Sequence, residues 1–335
     1  MDIKNTLKKL SGEIGVSGNE HAASLVASEL LKAYAENIEI DPFGNVTGYV
    51  YAADKSAKTV MLDAHIDSIG LIVTYIEDSG FLRVGACGGV DMRVFCAQSV
   101  TIWGKKPLLG VVSSLPPHVS DERAKVPDVT ELSIDIGMTK EQAEEIISLG
   151  DRVTVNAPFG ELCGDRVTAP FIDDRGGVCA VLSALDMLGG EKPSCNLAVC
   201  FSAQEETGER GARQSAFRLA PDEALVVDVS FGKTPDSAPY ETAPLGSGAM
   251  IGYSAALDRG MSEKLRALAS EREIPYTVEV MPTSTGTNAD AVAVSGAGVK
   301  CCTLSFPIRY MHTPAETVDI NDISAAARLI YEYIK

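Results

Sequence analysis

Leu197-Ala198-Val199-Cys200-Phe201, followed at once by Ser202-Ala203-Gln204-Glu205-Glu206, is the stretch on which the fold turns. An unbroken apolar run lacks the alternation of a half-wetted strand, so it predicts a strand buried on both faces. A helical segment precedes it at residues 177–188. Beyond it come apolar strands at Ala224-Leu225-Val226-Val227 and at residues 300–306, with helical segments at 262–271 and 322–334. Alternation of this kind implies an α/β sheet covered by helices. Upstream, Thr59-Val60-Met61-Leu62 is a further apolar run that ends in Asp63-Ala64-His65-Ile66-Asp67. Before it lie a strand-like Gly48-Tyr49-Val50-Tyr51 and a helix signal. Ser17-Gly18-Asn19-Glu20 fits the S-x-x-E capping box, and Val26, Leu30 and Ala33 follow at helical spacing.

The middle of the chain reads differently. Leu71-Ile72-Val73-Thr74-Tyr75-Ile76 and Phe81-Leu82-Arg83-Val84 flank Asp78-Ser79-Gly80, which predicts a hairpin. Strands are expected at residues 99–103, 109–112 and 151–155. One helix is expected behind a Thr139/Gln142 capping box, with Gly150 placed to end it. Pro116-Pro117 and residues 121–125 read as an exposed loop. Many short strands with one helix predict a small β-barrel. The expected division is therefore one α/β domain, residues 1–68 and 163–335, interrupted by a β-rich insert at residues 69–162.

Composition narrows the function. The 335 residues carry 29 basic and 46 acidic side chains, a formal net charge of -17. Such a surface disfavours nucleic acid and anionic membranes and favours cations. No apolar run approaches a membrane span. The opening Met1-Asp2-Ile3-Lys4-Asn5-Thr6 has no apolar core of a secretory signal. None of the eight cysteines forms a C-x-x-C pair, and several sit in apolar runs. Reduced, mostly buried thiols in a cytoplasmic protein are expected.

The polar residues that matter lie just past the apolar strands: His65 and Asp67, Glu205 and Glu206, Asp228, and His312. Asp173 and Asp174 stand ahead of the helical segment. Ligands of open α/β sheets bind at the carboxyl ends of strands. These segments therefore bring imidazole and carboxylate groups to one edge. Three carboxylates and a hydroxide would balance two dications about 4 Å apart, the arrangement of a two-metal hydrolytic site. Asp173 would bridge, and each ion would take one His and one further carboxylate. The residues alone leave open whether His65 shares its ion with Asp228 or with Glu206. Mixed nitrogen and oxygen donors suit zinc, cobalt or manganese better than calcium. Of the adjacent glutamates, one can bind metal while the other acts as general base. Asp67 could accept the second N–H of His65 and fix its ring. Singly, each has a bland reading: a satisfied histidine, a solvated Glu-Glu turn, helix capping by Asp-Asp, or an Arg175–Asp174 pair. His21 reads as a surface residue.

At these residues the chain resembles the M42 family of metallo-aminopeptidases, the glutamyl and deblocking aminopeptidase-like enzymes, some labelled cellulase M or endoglucanase. The matching pieces are Ala64-His65-Ile66-Asp67-Ser68-Ile69-Gly70, Ile172-Asp173-Asp174-Arg175-Gly176-Gly177, Gln204-Glu205-Glu206-Thr207-Gly208-Glu209-Arg210-Gly211-Ala212, Val227-Asp228-Val229 and Arg309-Tyr310-Met311-His312-Thr313-Pro314-Ala315-Glu316. Their order spans nearly the whole chain and includes Pro116-Pro117-His118 and Ile134-Asp135-Ile136-Gly137. The resemblance implies a zinc-peptidase-like α/β/α catalytic domain with an inserted PDZ-like β-barrel for dimerisation. It implies one divalent ion on His65, Asp173 and Asp228, a second on Asp173, Glu206 and His312, Glu205 as general base, and Asp67 as the carboxylate behind His65. Zinc or cobalt is expected ahead of manganese. It further implies a homo-oligomer, built from dimers that in many relatives close into a tetrahedral dodecamer. Departures fall at Ala169-Pro170, Ser230-Phe231-Gly232 and Gly248-Ala249-Met250, where no ligand is lost. The expected function is removal of N-terminal residues from short peptides by water that bridges the two ions and is activated by Glu205. The alternatives are a metal-dependent deacylase or amidase on the same scaffold, and an endoglucanase. The last is disfavoured by a 6 % aromatic content and a single Trp, which leave little for sugar stacking.

Overall fold

The structure, a computed structural model, describes residues 1–113 and 126–335. The expected loop at Pro116-Pro117, His118 and residues 121–125 lies outside the described residues. Two compact units emerge: Met1–Ser68 with Phe159–Met311 and Ala315–Lys335, and Ile69–Pro158 with residues 312–314.

The first unit is built on an eleven-stranded mixed sheet. The apolar run at residues 197–201 lies in its strand Asn196–Ser202, buried at every position. It runs parallel to Thr59–His65, which runs parallel to Glu223–Phe231, which in turn pairs with Lys300–Arg309. Alternation divides their side chains between two cores. Val60, Leu62, Ala64, Leu197, Val199, Phe201, Leu225, Val227, Leu304 and Phe306 face the larger core, under the helices Ile3–Ser11, His21–Leu31, Ile172–Met187 and Ile320–Ile334. Met61, Cys200, Ala224, Val226 and Cys301 face a smaller one, shared with Ala212 and Ala216 of the helix Arg210–Leu219 and Ala289 and Val292 of Ala289–Ala293. Each fully buried Leu or Phe contributes about 1.5–3 kcal/mol, so both faces are held by burial. Six of the eight cysteines are buried.

Several elements differ from expectation. Ser17 does not cap a helix; the helix starts at His21, and Glu20 precedes it with no side-chain capping bond. Burial outweighs the local signal, because the Ser17 hydroxyl is taken by buried Asp67 at 2.5 Å. The helix Arg210–Leu219 and the strands Ala249–Ser254 and Tyr276–Met281 carried no reading in the sequence. Their apolar residues are too few, or too exposed, to set a period.

The second unit is a closed barrel of six strands, including the Gly70–Ile76/Leu82–Cys87 hairpin. Ser133–Asp135, missing from the sequence reading, closes it by pairing with both Leu82–Cys87 and Pro107–Val112. The helix Lys140–Ile146 starts at the expected Thr139/Gln142 capping box. No described helix is long and apolar enough to cross a membrane.

Candidate metal centre

Strand parity builds the site. His65 and Asp63 follow Met61 on the face of the smaller core, and Asp228 and Ser230 follow Val226 there. Ser202 stands beside His65 in register. Polar groups thus emerge together where the strands end.

Asp173 arrives from another direction. The strand Arg166–Ala169 leads to Phe171, whose φ is +63°, and then to a helix whose first residues depart from helical geometry. The Asp173–Asp174 peptide is cis. Glu316, buried at the start of the strand Glu316–Asp319, accepts the Asp173 N–H at 3.0 Å. The sequence reading gave Glu316 no role, since a lone Glu in a strand carries no signal. Asp174 Oδ1 accepts the Gly177 N–H at 3.0 Å, the bland capping role. Arg175 does not pair with Asp174. It donates to the carbonyls of Leu10 and Glu13 at 2.5 and 2.6 Å and lies 4.9 Å from the Phe171 ring.

His65 Nε2 lies 2.9 Å from Asp173 Oδ1 and 3.9 Å from Asp228 Oδ1. One ligand atom from each of these three lies within 4.8 Å of the others, and the same holds for His65, Glu205 and Glu206. The first unit therefore brings His65 to both of the carboxylate partners that its residues left open.

The turn carrying the two glutamates is held by its backbone. Gln204 takes φ +57°. The Ala203 N–H reaches Asn45 Oδ1 at 2.8 Å. Asp67, fully buried, accepts the Glu205 N–H at 2.9 Å on one oxygen. Its other oxygen accepts the Glu206 N–H at 3.2 Å and the Ser17 hydroxyl. The expected contact with His65 takes another form: Nδ1 is 3.1 Å from the Asp67 backbone carbonyl and 3.5 Å from the carboxylate. The Asp67 side chain thus spends its hydrogen bonds on the glutamate turn, and its carbonyl is nearer the imidazole. Ser17 and Asn45 were missed because both act from distant loops, with no spacing to mark them.

His312, with φ +61°, groups with the second unit, where its Nδ1 is 2.8 Å from the Gly89 carbonyl. A neutral ring donating there carries its proton on Nδ1, which makes Nε2 the basic nitrogen.

The electrostatics of the first unit's cluster fit cations. Burial pushes Asp174 well up, with Asp228 adding to it. Burial likewise raises Asp228, opposed by His65 and reinforced by Asp173 and Glu205. Burial takes Glu205 up to about 7, against the pull of His65 and with Asp67 and Asp173 adding to it. His65 is opposed by burial yet driven well above its usual value by Asp173, Asp67 and Asp228. Asp174 Oδ2 is buried without a hydrogen-bond partner. Carboxylates crowded this way, around one imidazole, hold more negative charge than a buried site tolerates unless cations balance it. The nitrogen and oxygen donors suit zinc, cobalt or manganese.

The sequence profile described as M42 glutamyl aminopeptidase matches residues 44–329. The Lysyl aminopeptidase of Pyrococcus furiosus is 34 % identical over 332 residues, covering 96 % of this chain and 94 % of that protein. Among solved structures, an aminopeptidase of the archaeon Desulfurococcus kamchatkensis superposes with a TM-score of 0.93 at 35 % identity, covering 99 % of this chain and 94 % of that one. The TET1 peptidase of Pyrococcus horikoshii, described as assembling into a tetrahedron or a large octahedral shell, gives 0.88 at 30 % identity and covers 99 % of both chains. Strand ends that gather acids around an imidazole, in a sheet shared from end to end with aminopeptidases, have one reading: this chain is a peptide hydrolase and belongs to the M42 glutamyl aminopeptidase family.

Proposed function

We propose that the enzyme removes N-terminal residues from short peptides using two divalent cations. His65, Asp173 and Asp228 would hold one ion, and Asp173, Glu206 and His312 the other. His312 is bonded directly to Met311 of the first unit, and its Nδ1 contact with Gly89 presents Nε2 as the ligand atom. The ions, zinc or cobalt ahead of manganese, supply Lewis acidity toward a water and the substrate carbonyl. Glu205 takes a proton from the attacking water as its oxygen bonds to the first peptide carbonyl. It then hands that proton to the leaving amine as the C–N bond breaks. Asp67 positions Glu205 by holding its N–H.

The observation that carries this reading is Glu205 itself. Its carboxyl shares a 4.8 Å cluster with His65 and Glu206, and Asp67 holds its backbone N–H at 2.9 Å, so it stands beside the candidate ligands where one group can both accept and return a proton. E205Q tests it: metal content by mass spectrometry stays at the wild-type level, and kcat on an aminoacyl anilide falls at least a hundredfold, the scale of general-base catalysis. An unchanged kcat removes Glu205 from the chemistry. Turnover of N-acyl amino acids without turnover of free-amine peptides would favour the deacylase alternative.

The insert is proposed to build dimers, and these to close into a larger shell as described for the TET1 peptidase; solution mass measurement decides it. A cytoplasmic location with reduced thiols is proposed from the buried cysteines.

A further inference from the structure

The glutamate turn has a further support, which reaches it from a surface hairpin. The strands Glu36–Ile40 and Val46–Val50 pair antiparallel at the edge of the sheet and are joined by Asp41-Pro42-Phe43-Gly44-Asn45. Asp, Pro and Gly at the first, second and fourth places favour a tight turn. The Gly44 N–H donates to the Asp41 carbonyl at 2.9 Å, and Gly44 takes φ +95°. The helix His21–Leu31 pins the loop, since the buried Ser24 hydroxyl donates to the Gly44 carbonyl at 2.7 Å. Asp41 closes it. Its Oδ1 accepts the Phe43 N–H at 2.9 Å and the Asn45 N–H at 3.1 Å, and its Oδ2 accepts from Asn45 Nδ2 at 2.9 Å.

That last bond decides which way the Asn45 amide faces. A carboxylate only accepts, so the NH₂ turns toward Asp41 and the amide oxygen away from it. Asn45 is fully buried, and its oxygen takes the Ala203 N–H at 2.8 Å. Its NH₂ also reaches Gln214 Oε1 at 3.1 Å and the Gly211 carbonyl at 3.4 Å, both in the helix Arg210–Leu219. The Gly211 N–H donates in turn to the Ala203 carbonyl at 3.0 Å. Asn45 therefore grips both ends of the segment 203–211, and Glu205 and Glu206 stand between them. A reversed amide would set its NH₂ against the Ala203 N–H and its oxygen against the acceptors of Asp41, Gln214 and Gly211.

We propose that Asp41 and Asn45 are positioning residues for Glu205: Asp41 sets the Asn45 amide, and the amide sets the backbone from which Glu205 projects. This deepens the proposed function and rests on it. Exchanging the two side-chain types, which are alike in shape, tests it through N45D, D41N and the double variant D41N/N45D. N45D turns an oxygen toward three acceptors; kcat on an aminoacyl anilide should fall at least about tenfold, with KM and metal content by mass spectrometry within about twofold of wild type, because a catalytic group displaced by about 1 Å can lose a hundredfold. D41N cannot serve the Phe43 N–H, the Asn45 N–H and Asn45 Nδ2 together, and should lose about fivefold in kcat. The double variant again sets a donor at 41 against an acceptor at 45, and the Ala203 N–H keeps an oxygen; kcat should return to within about threefold of wild type. In an E205Q background N45D should change kcat by less than about twofold, since the group it positions is gone. Should N45D fail to fold, D41N, at a partly exposed residue, and the double variant carry the comparison. A kcat unmoved in the folded single variants, a double variant no better than N45D, or a full N45D loss on top of E205Q overturns the positioning role and leaves the general base standing. Wild-type kcat in E205Q alone overturns both.

Discussion

Asp67 holds the glutamate turn, and Asp67→Asn measures how firmly. One carboxylate oxygen accepts the Glu205 N–H at 2.9 Å; the other accepts the Glu206 N–H at 3.2 Å and the Ser17 hydroxyl. An amide keeps one oxygen. Whichever position becomes NH₂, at least one partly buried backbone N–H then faces another donor. A hydrogen bond to a charged group contributes roughly 1.5–3 kcal/mol, and an unsatisfied buried donor costs about 1–3 kcal/mol. The bonds that survive lose their charge assistance. The sum is about 2.5–6 kcal/mol, a fall in Tm of roughly 5–24 °C for a unit of this size. Ser17→Ala removes one donor to an Asp67 oxygen that keeps the Glu206 N–H, so its loss should be smaller, about 1–2 kcal/mol. Activity follows geometry: a displacement of about 1 Å in a catalytic group can cost a hundredfold. Thermal unfolding of metal-stripped protein, with kcat of reloaded protein, reads both quantities. A role confined to orienting His65 would weaken metal binding and leave the stripped protein's Tm alone. Asp67→Asn with Tm within 1 °C and kcat within twofold of wild type would refute the clamp.

Gly211→Ala would put a Cβ 2.2 Å from the Ala203 carbonyl and from Asn45 Oδ1, so the turn bearing Glu205 must shift; activity should drop at least tenfold and Tm by several degrees. Arg175→Met removes the donor to the Leu10 and Glu13 carbonyls and should destabilise by about 3 kcal/mol in chemical denaturation, less than two charged hydrogen bonds because burying the guanidinium is itself costly. Asp322 accepts the Gly246 and Gly248 N–H groups at 2.7 Å, yet burial raises its carboxyl from 3.8 to about 6. Between those values the folded chain binds more protons than the unfolded one, so this group's contribution is full below pH 4 and is lost as pH rises to 6. Its size is about 3 kcal/mol, and the stability difference between wild type and Asp322→Asn should change by that amount across the window.

The order of strands and helices was legible because burial on both faces writes itself as unbroken apolar runs, as at residues 197–201. The two short strands at Ala249–Ser254 and Tyr276–Met281 were not, since one branch of the sheet leaves Val278 and Val280 in water and mixes the pattern. Candidate ligands could be named because Asp, Glu and His at the ends of apolar runs are costly unless used. Ser17 shows the limit. Its spacing to Glu20 satisfies a capping box, but a buried carboxylate fifty residues away offers the hydroxyl a stronger, charge-assisted bond.

Sequence by itself determined the α/β rhythm, the barrel-like insert and which groups are candidates to bind metal, all properties of residue type and short spacing. Tertiary structure alone decided that Glu316 and Asn45 hold the loops bearing the acids, and that Asp67 spends its carboxylate on the glutamate turn. Those contacts join segments tens to hundreds of residues apart. They depend on strand register and side-chain parity, which chain-local patterns do not encode.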